Sequence, residues 1–279
     1  VQTGVVARAL TDSFRVIVTE DGAPKAGVSV TWSVSAGSIG IASSTTDAAG
    51  RAAARMTLGQ VQGAMSARAS IPGGSGVTFN VTAIPDLPSQ ITAVSGTDQA
   101  ALANGTVTQP LTVRVTDQFG NIVSGSAVAW SNVTGNGTAA APSTLTSSSG
   151  VATVGANVGS PVGETVIRAV TAGGLDTVVF SIFAVGHIAD VLVKNNFFVS
   201  GANGSQPQAV DTIAAGDAVR WIWQSAAVEH NINPQSSAFP RSTTQVTPFT
   251  YGPIRLDTPG VYTYDCTLHA EMSGIIVVQ

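Results

Sequence analysis

Gly27-Val28-Ser29-Val30-Thr31-Trp32 occurs twice in this chain, the second time as Gly125-Ser126-Ala127-Val128-Ala129-Trp130. In each copy the apolar side chains fall on alternate residues. The segment therefore reads as a strand that turns one face, ending in the Trp, into a core. Its surroundings repeat as well. Val16-Ile17-Val18-Thr19-Glu20-Asp21-Gly22 returns as Val113-Arg114-Val115-Thr116-Asp117-Gln118-Phe119-Gly120, Thr46-Asp47-Ala48-Ala49-Gly50 as Thr146-Ser147-Ser148-Ser149-Gly150, and Phe79 as Phe180. The offset grows from 98 at Trp32 to 101 at Phe79, as small loop insertions produce in a tandem of homologous units.

Turn signals such as Asp21-Gly22, Phe119-Gly120-Asn121 and Pro72-Gly73-Gly74 separate the alternating runs. Short strands at this spacing predict a β-sandwich of roughly 90–100 residues per unit. The two copies are similar to bacterial immunoglobulin-like domains of the invasin and intimin type. Those carry a Val-Thr-Asp-x-x-Gly-Asn turn, a Gly-x-x-Val-x-Trp strand and a Thr-Asp-x-x-Gly-x-Ala turn. The second copy holds Ser147 where the last of these has Asp. The first lacks a counterpart of Ile91-Thr92-Ala93-Val94-Ser95-Gly96 and is expected to start one strand late. Boundaries are expected near Ile84-Pro85-Asp86-Leu87-Pro88, where two prolines interrupt strand pairing, and near Ala184-Val185-Gly186. The division expected is 1–85, 86–185 and 186–279.

Composition agrees with an all-β chain. Only 10% of the 279 residues are charged, and 30 Gly and 13 Pro supply turns. Trp32 and Trp130 are expected in the cores rather than as ligand-stacking rings. Asp21, Asp47 and Asp117 are expected to build turns rather than an interdomain calcium site. Residues 1–85 carry six Lys/Arg against four Asp/Glu, whereas 187–279 carry four against seven. No basic stripe tracks a nucleic-acid backbone, so nucleic acid is not an expected partner. No run of 18 apolar residues predicts a membrane span. Val1-Gln2-Thr3-Gly4 carries no charged and apolar leader, so any signal peptide is expected to have been removed already. A single cysteine precludes an intramolecular disulfide.

The last third differs from the repeats. In Gly260-Val261-Tyr262-Thr263-Tyr264-Asp265-Cys266, period two puts Tyr262, Tyr264 and Cys266 on one face, with the thiol turned inward. A short loop, Cys266-Thr267-Leu268-His269-Ala270-Glu271-Met272, then leads to a final strand at Gly274-Ile275-Ile276-Val277-Val278. His230 lies 36 positions before the cysteine and must come from another strand. One thiolate, two imidazoles and a long axial thioether are the donor set of an electron-transfer copper site. Zinc also suits two His and a Cys, as an adventitious occupant. His187, Glu229 and Glu271 are read as solvated.

Residues 187–279 resemble a cupredoxin of the plastocyanin and amicyanin type. The resemblance rests on the Cys-x-x-His-x-x-Met loop, Asn196-Phe197-Phe198, Ala215-Gly216-Asp217-Ala218-Val219-Arg220-Trp221 and Glu229-His230-Asn231. It departs at Leu268 and Ala270, where amicyanin-like loops often hold prolines. The resemblance implies copper ligands His230, Cys266, His269 and Met272. It also implies that the Asn231 amide donates to the Cys266 sulfur, with Thr267 as the partner of Asn231. His269 would be the electron port, in an apolar patch lined by Leu268, Ala270, Phe239 and Pro240, where an unidentified redox protein docks.

The expected fold is all-β: three tandem β-sandwiches, two immunoglobulin-like followed by one cupredoxin Greek-key sandwich. The expected function is a blue (type 1) copper protein that carries single electrons, displayed on immunoglobulin-like spacers outside the cytoplasm. The alternative is a surface adhesion or structural protein whose cupredoxin domain binds copper for storage or structure. An oxidase or nitrite reductase would need further histidines, and only His187 is spare, so no enzyme is expected.

Overall fold

In the computed structural model of the protein, all residues except 172, 174, 175, 225 and 226 are described. Among these, regular structure is strand throughout, and there is no helix long and apolar enough to cross a membrane. The chain divides into two compact units. One holds Val1–Gln90, Val115–Ser126 and Thr146–Gly150; the other holds Ile91–Arg114, Ala127–Leu145 and Val151–Gln279.

The first unit contains a five-stranded sheet in the order Gln2–Val5, Val77–Ile84, Gly63–Ser70, Ser29–Val34, Ser43–Thr45. A strand pair, Phe14–Ile17 with Arg51–Ala54, shares its core. Alternation decides what that core receives. Val30 and Trp32 are buried while Ser29, Thr31 and Ser33 are exposed. Phe79 stacks on Phe14 at 4.8 Å and on Trp32 at 6.3 Å, which gives the repeated Phe its purpose. The Trp32 indole N–H donates to Ser44 at 2.8 Å, so the ring is buried without an orphaned donor.

The aspartates build turns. Asp47 Oδ1 accepts from the amides of Ala49 and Arg51 at 2.8 and 2.9 Å, and Asp117 Oδ1 accepts from Phe119 and Asn121 at the same two distances. Asp117 is fully buried. Its Oδ2 takes the Asp86 amide and the Asn121 side chain, both at 2.9 Å. Asn121 in turn receives the Gln62 amide and donates to the Gln60 carbonyl. Burial pushes the Asp117 carboxyl upward, but those hydrogen bonds, led by Asn121, outweigh it and hold the pKa below the usual carboxylate value. A depressed native pKa stabilises the fold above the unfolded value of about 3.9 and is lost as pH falls through the folded one. Urea midpoints of this unit should therefore hold above about pH 4 and fall in stronger acid. In Asp117→Asn that acid-dependent drop should shrink. An unchanged drop would assign it to other carboxylates.

In the second unit the strand order of the larger sheet repeats: Gln99–Leu102, Thr177–Val185, Gly163–Thr171, Ala127–Thr134, Ser143–Leu145. Trp130 is buried, donates to Thr144 and lies 6.0 Å from Phe180. The smaller sheet here has three strands, Gln90–Ser95 joining Leu111–Thr116 and Val151–Val154, whereas its counterpart in the first copy has two. Thr177–Val185 passes into Ile188–Val193 with only Gly186 and His187 between them. Ala100, Val185 and Ala218 share a small buried cluster at this joint, and the Arg255 guanidinium sits 4.5 Å over the Phe183 ring.

Residues beyond this joint form two four-stranded sheets. One runs Phe198–Ser200, Ile188–Val193, Ala218–Trp223, Phe249–Arg255; the other runs Ala209–Ile213, His269–Val278, Gly260–Cys266, Asn233–Pro234. Between them lies an aromatic core. Trp221 is fully buried, with its ring 5.2 Å from Tyr264, 5.3 Å from Phe239 and 5.6 Å from Tyr251. Tyr264 stands opposite Gly274 on the neighbouring strand. A Cβ at 274 would collide with the Tyr264 ring, so only glycine lets the ring lie across that strand.

Candidate metal centre

The Gly260–Cys266 strand alternates as its sequence predicts: Tyr264 and Cys266 are buried, Thr263 is exposed, and Tyr262 is half-buried. The loop after it is tighter than expected. The final strand begins at His269 rather than near Gly274, and Cys266 pairs directly with His269 across the two-residue turn Thr267-Leu268. A register shift between Asp265 and Cys266 makes this possible. Such a bulge re-aims the side chains beside it, and here it turns the thiol and the imidazole toward one point.

His230 arrives from a separate segment. Its amide and carbonyl exchange two hydrogen bonds of 2.9 Å with Gln245. Two positions on, Ile232 is held through Ser242 by a side-chain bond of 2.9 Å and a backbone bond of 3.0 Å. The partners in 242–245 carry no periodic signal, so sequence reading missed this clamp. Asn231 joins the clamp to the ligand hairpin. Its side-chain oxygen accepts the Thr267 amide at 3.1 Å, and its side-chain nitrogen contacts the Thr267 hydroxyl at 3.0 Å. Arg241 reaches the same hydroxyl at 2.9 Å. The Asn231–Thr267 pairing implied by the family resemblance is therefore present. Among the described residues, however, the Asn231 backbone amide makes no hydrogen bond to the Cys266 sulfur.

Three donor atoms converge. Nδ1 of His230 lies 3.7 Å from Sγ of Cys266, and Nδ1 of His269 lies 3.5 Å from it. The imidazole centroids are 4.6 Å apart, and ligand atoms of the three residues all fall within 4.8 Å of one another. Donors held by one ion at roughly 2.0–2.3 Å and at trigonal to tetrahedral angles sit about 3.5–3.8 Å apart. The two sulfur–nitrogen spacings, 3.7 and 3.5 Å, match a single ion between them. The set is soft, one sulfur and two imidazoles, and among the described residues no carboxylate joins it. That composition fits copper or zinc and disfavours a hard cation.

Electrostatics keep the set ready to bind. His230 and Cys266 are buried and His269 is half-buried. Burial, then the facing His269 ring, pushes the His230 pKa down to about 4, against an upward pull from the Asn195 backbone. At neutral pH the ring is uncharged and offers a lone pair. Met272, three residues beyond His269, is buried in the same hydrophobic cluster as Cys266, Tyr264 and Trp221.

His187, Glu229 and Glu271, read as solvated, are exposed. Leu268 is half exposed, and Ala270 and Pro240 are exposed. Phe239, expected in the apolar rim, is instead 5% exposed and packs on Trp221. A large apolar ring gains more from the core than from solvent, which corrects that expectation.

Comparison with known proteins gives two kinds of likeness. Residues 91–182 match the family described as bacterial Ig-like domain (group 1). Among solved structures, Yersinia pseudotuberculosis InvD is 14% identical, with 98% of this chain and 93% of that one covered at a TM-score of 0.48. The D0-D1 domain of intimin is 18% identical over 66% of this chain and 94% of that one, at 0.28. A Sinorhizobium pseudoazurin is 27% identical over 33% of this chain and 73% of that one, at 0.23. No curated protein sequence matches the chain.

Proposed function

We propose that residues 186–279 form a copper-binding domain of the cupredoxin type, carried on two immunoglobulin-like modules, 1–85 and 86–185, outside the cytoplasm. The observation that carries this reading is the convergence of His230, Cys266 and His269 on one buried point. Those three residues and Met272 are the proposed ligands. A copper ion held there would supply one-electron exchange between Cu(I) and Cu(II). The protein's own part is to keep His230 neutral, to hold the buried Cys266 sulfur between the two imidazoles, and to hold the hairpin still. The Asn231, Thr267 and Ser242 contacts fix the donors before binding, and a preorganised donor set rearranges little on electron exchange. The half-buried His269 is the proposed point of exchange with a redox partner, beside exposed Leu268. The assignment is a carrier and not an enzyme.

A second reading is favoured by the match of residues 91–182 to a bacterial Ig-like family. On that reading the chain is a surface adhesion or structural protein, and its last domain holds copper for storage or stability. Mixing the copper-loaded full chain with small redox proteins of both charge signs separates the two. Fast exchange supports the carrier. A stable blue centre that exchanges slowly with all of them supports the structural role.

Met272 has its own test. Met272→Leu keeps the volume and removes the thioether, so the variant should stay blue while its reduction potential rises relative to the wild type. Identical potentials would mean that the Met272 sulfur does not contact the ion.

A further inference from the structure

A concavity of about 530 Å³ lies on the outer face of the Phe14–Ile17 and Arg51–Ala54 pair in the first unit, remote in sequence from the metal-site residues. In this antiparallel pair Arg15 is directly opposite Ala53, and Ile17 is opposite Arg51. Burial alternates through Ala52, Ala53, Ala54, Arg55 and Met56, so Arg51, Ala53 and Arg55 face outward on the side shared by Arg15 and Ile17. Arg15 is thus the diagonal neighbour of both Arg51 and Arg55, with Cα separations of about 7–8 Å. Two guanidiniums, Arg15 and Arg51, line the concavity over the small floor left by Ala53, Arg55 flanks it on the same face, and exposed Ile17 adds an apolar margin.

Little in the protein answers this charge. Among the described residues neither Arg15 nor Arg51 makes a side-chain hydrogen bond or ion pair, and Arg55 donates only to the Thr11 carbonyl. Asp47 also lines the concavity, with Oδ1 held by two backbone amides, so two lining cations and the flanking Arg55 stand against one anion. Nor does the strand pair require the arginines. Its counterpart in the second copy has the same register, Thr112 opposite Thr153 and Arg114 opposite Val151. There the Arg15, Arg51 and Arg55 positions are Thr112, Val151 and Gly155.

We propose that this face binds the sulfate or phosphate groups of an anionic polysaccharide. The planar fork of arginine pairs with tetrahedral oxyanions two bonds at a time, and Ile17 with Ala53 offers a surface for a sugar ring. Nucleic acid fits less well, because no aromatic side chain lines the concavity to stack a base.

The test uses the full chain and immobilised heparin, a phosphorylated mannan, poly-glutamate and duplex DNA at low ionic strength. Heparin or the mannan should retain the protein in a salt-sensitive manner, the tighter of the two identifying sulfate or phosphate. Each of R15Q, R51Q and R55Q should weaken binding roughly 3-fold and the triple variant about 30-fold, as exposed ion contacts do. R68Q and R168Q, at arginines elsewhere, should leave it unchanged. Arg15→Lys should recover only part of the loss, since charge returns without the fork. A melting curve of the triple variant should match the wild type. Failure of both polysaccharides to bind, equal binding to poly-glutamate or DNA, or full retention by the folded triple variant would overturn the proposal.

Discussion

Cys266→Ser is expected to leave a folded protein that takes up Cu(II) without the intense visible band of a copper thiolate. Serine is close in size to cysteine, and its hydroxyl can still hydrogen-bond the imidazoles that face position 266. The strand should therefore keep its buried alternation. The hydroxyl does not ionise at neutral pH and is a hard donor, so the short, soft bond is lost. Affinity should fall by more than the roughly 10–100-fold that accompanies loss of an outer-shell partner of a metal ligand. Absorbance and competition with a copper chelator, run on both proteins, check the two parts separately. A variant that stays blue would place the chromophore away from Cys266.

Trp221→Ala should have the largest effect on stability. The indole is fully buried among Phe239, Tyr251 and Tyr264, with centroids 5.2–5.6 Å away. Truncation removes that packing, leaves a cavity and costs about 3–5 kcal/mol. Tyr264 borders the cavity and shares a strand with Cys266, so metal affinity should decline alongside the melting temperature. Unfolding followed by calorimetry and by tyrosine fluorescence of the variant measures the first effect. A loss under about 1 kcal/mol would show that the core closes over the gap.

Much of this was legible in the sequence because period two is a strong signal when one face of a strand is dry. Trp32, Trp130, Tyr264 and Cys266 all occupy the buried side that alternation assigns them. The turn role of Asp47 and Asp117 was legible for the same local reason, since short carboxylates bond amides two and four residues on. What escaped was long-range. Nothing in Arg241-Ser242-Thr243-Thr244-Gln245 announces that it clamps 230–232, because the partners are irregular backbone without periodicity. The bulge at Asp265 and Cys266 escaped too, and with it the direct pairing of Cys266 and His269. Phe239 was misplaced because an aromatic ring in a polar segment gives no local sign of which way it packs.

The central claim is that one ion is held by a sulfur and two imidazoles drawn from Cys266, His230 and His269. Copper-edge X-ray absorption on the full chain loaded with one equivalent of Cu(I) tests it most directly. A nearest shell of one or two sulfurs with two imidazole nitrogens is the result this account requires. A shell of nitrogen and oxygen alone, or copper bound without reaching one equivalent, would contradict it.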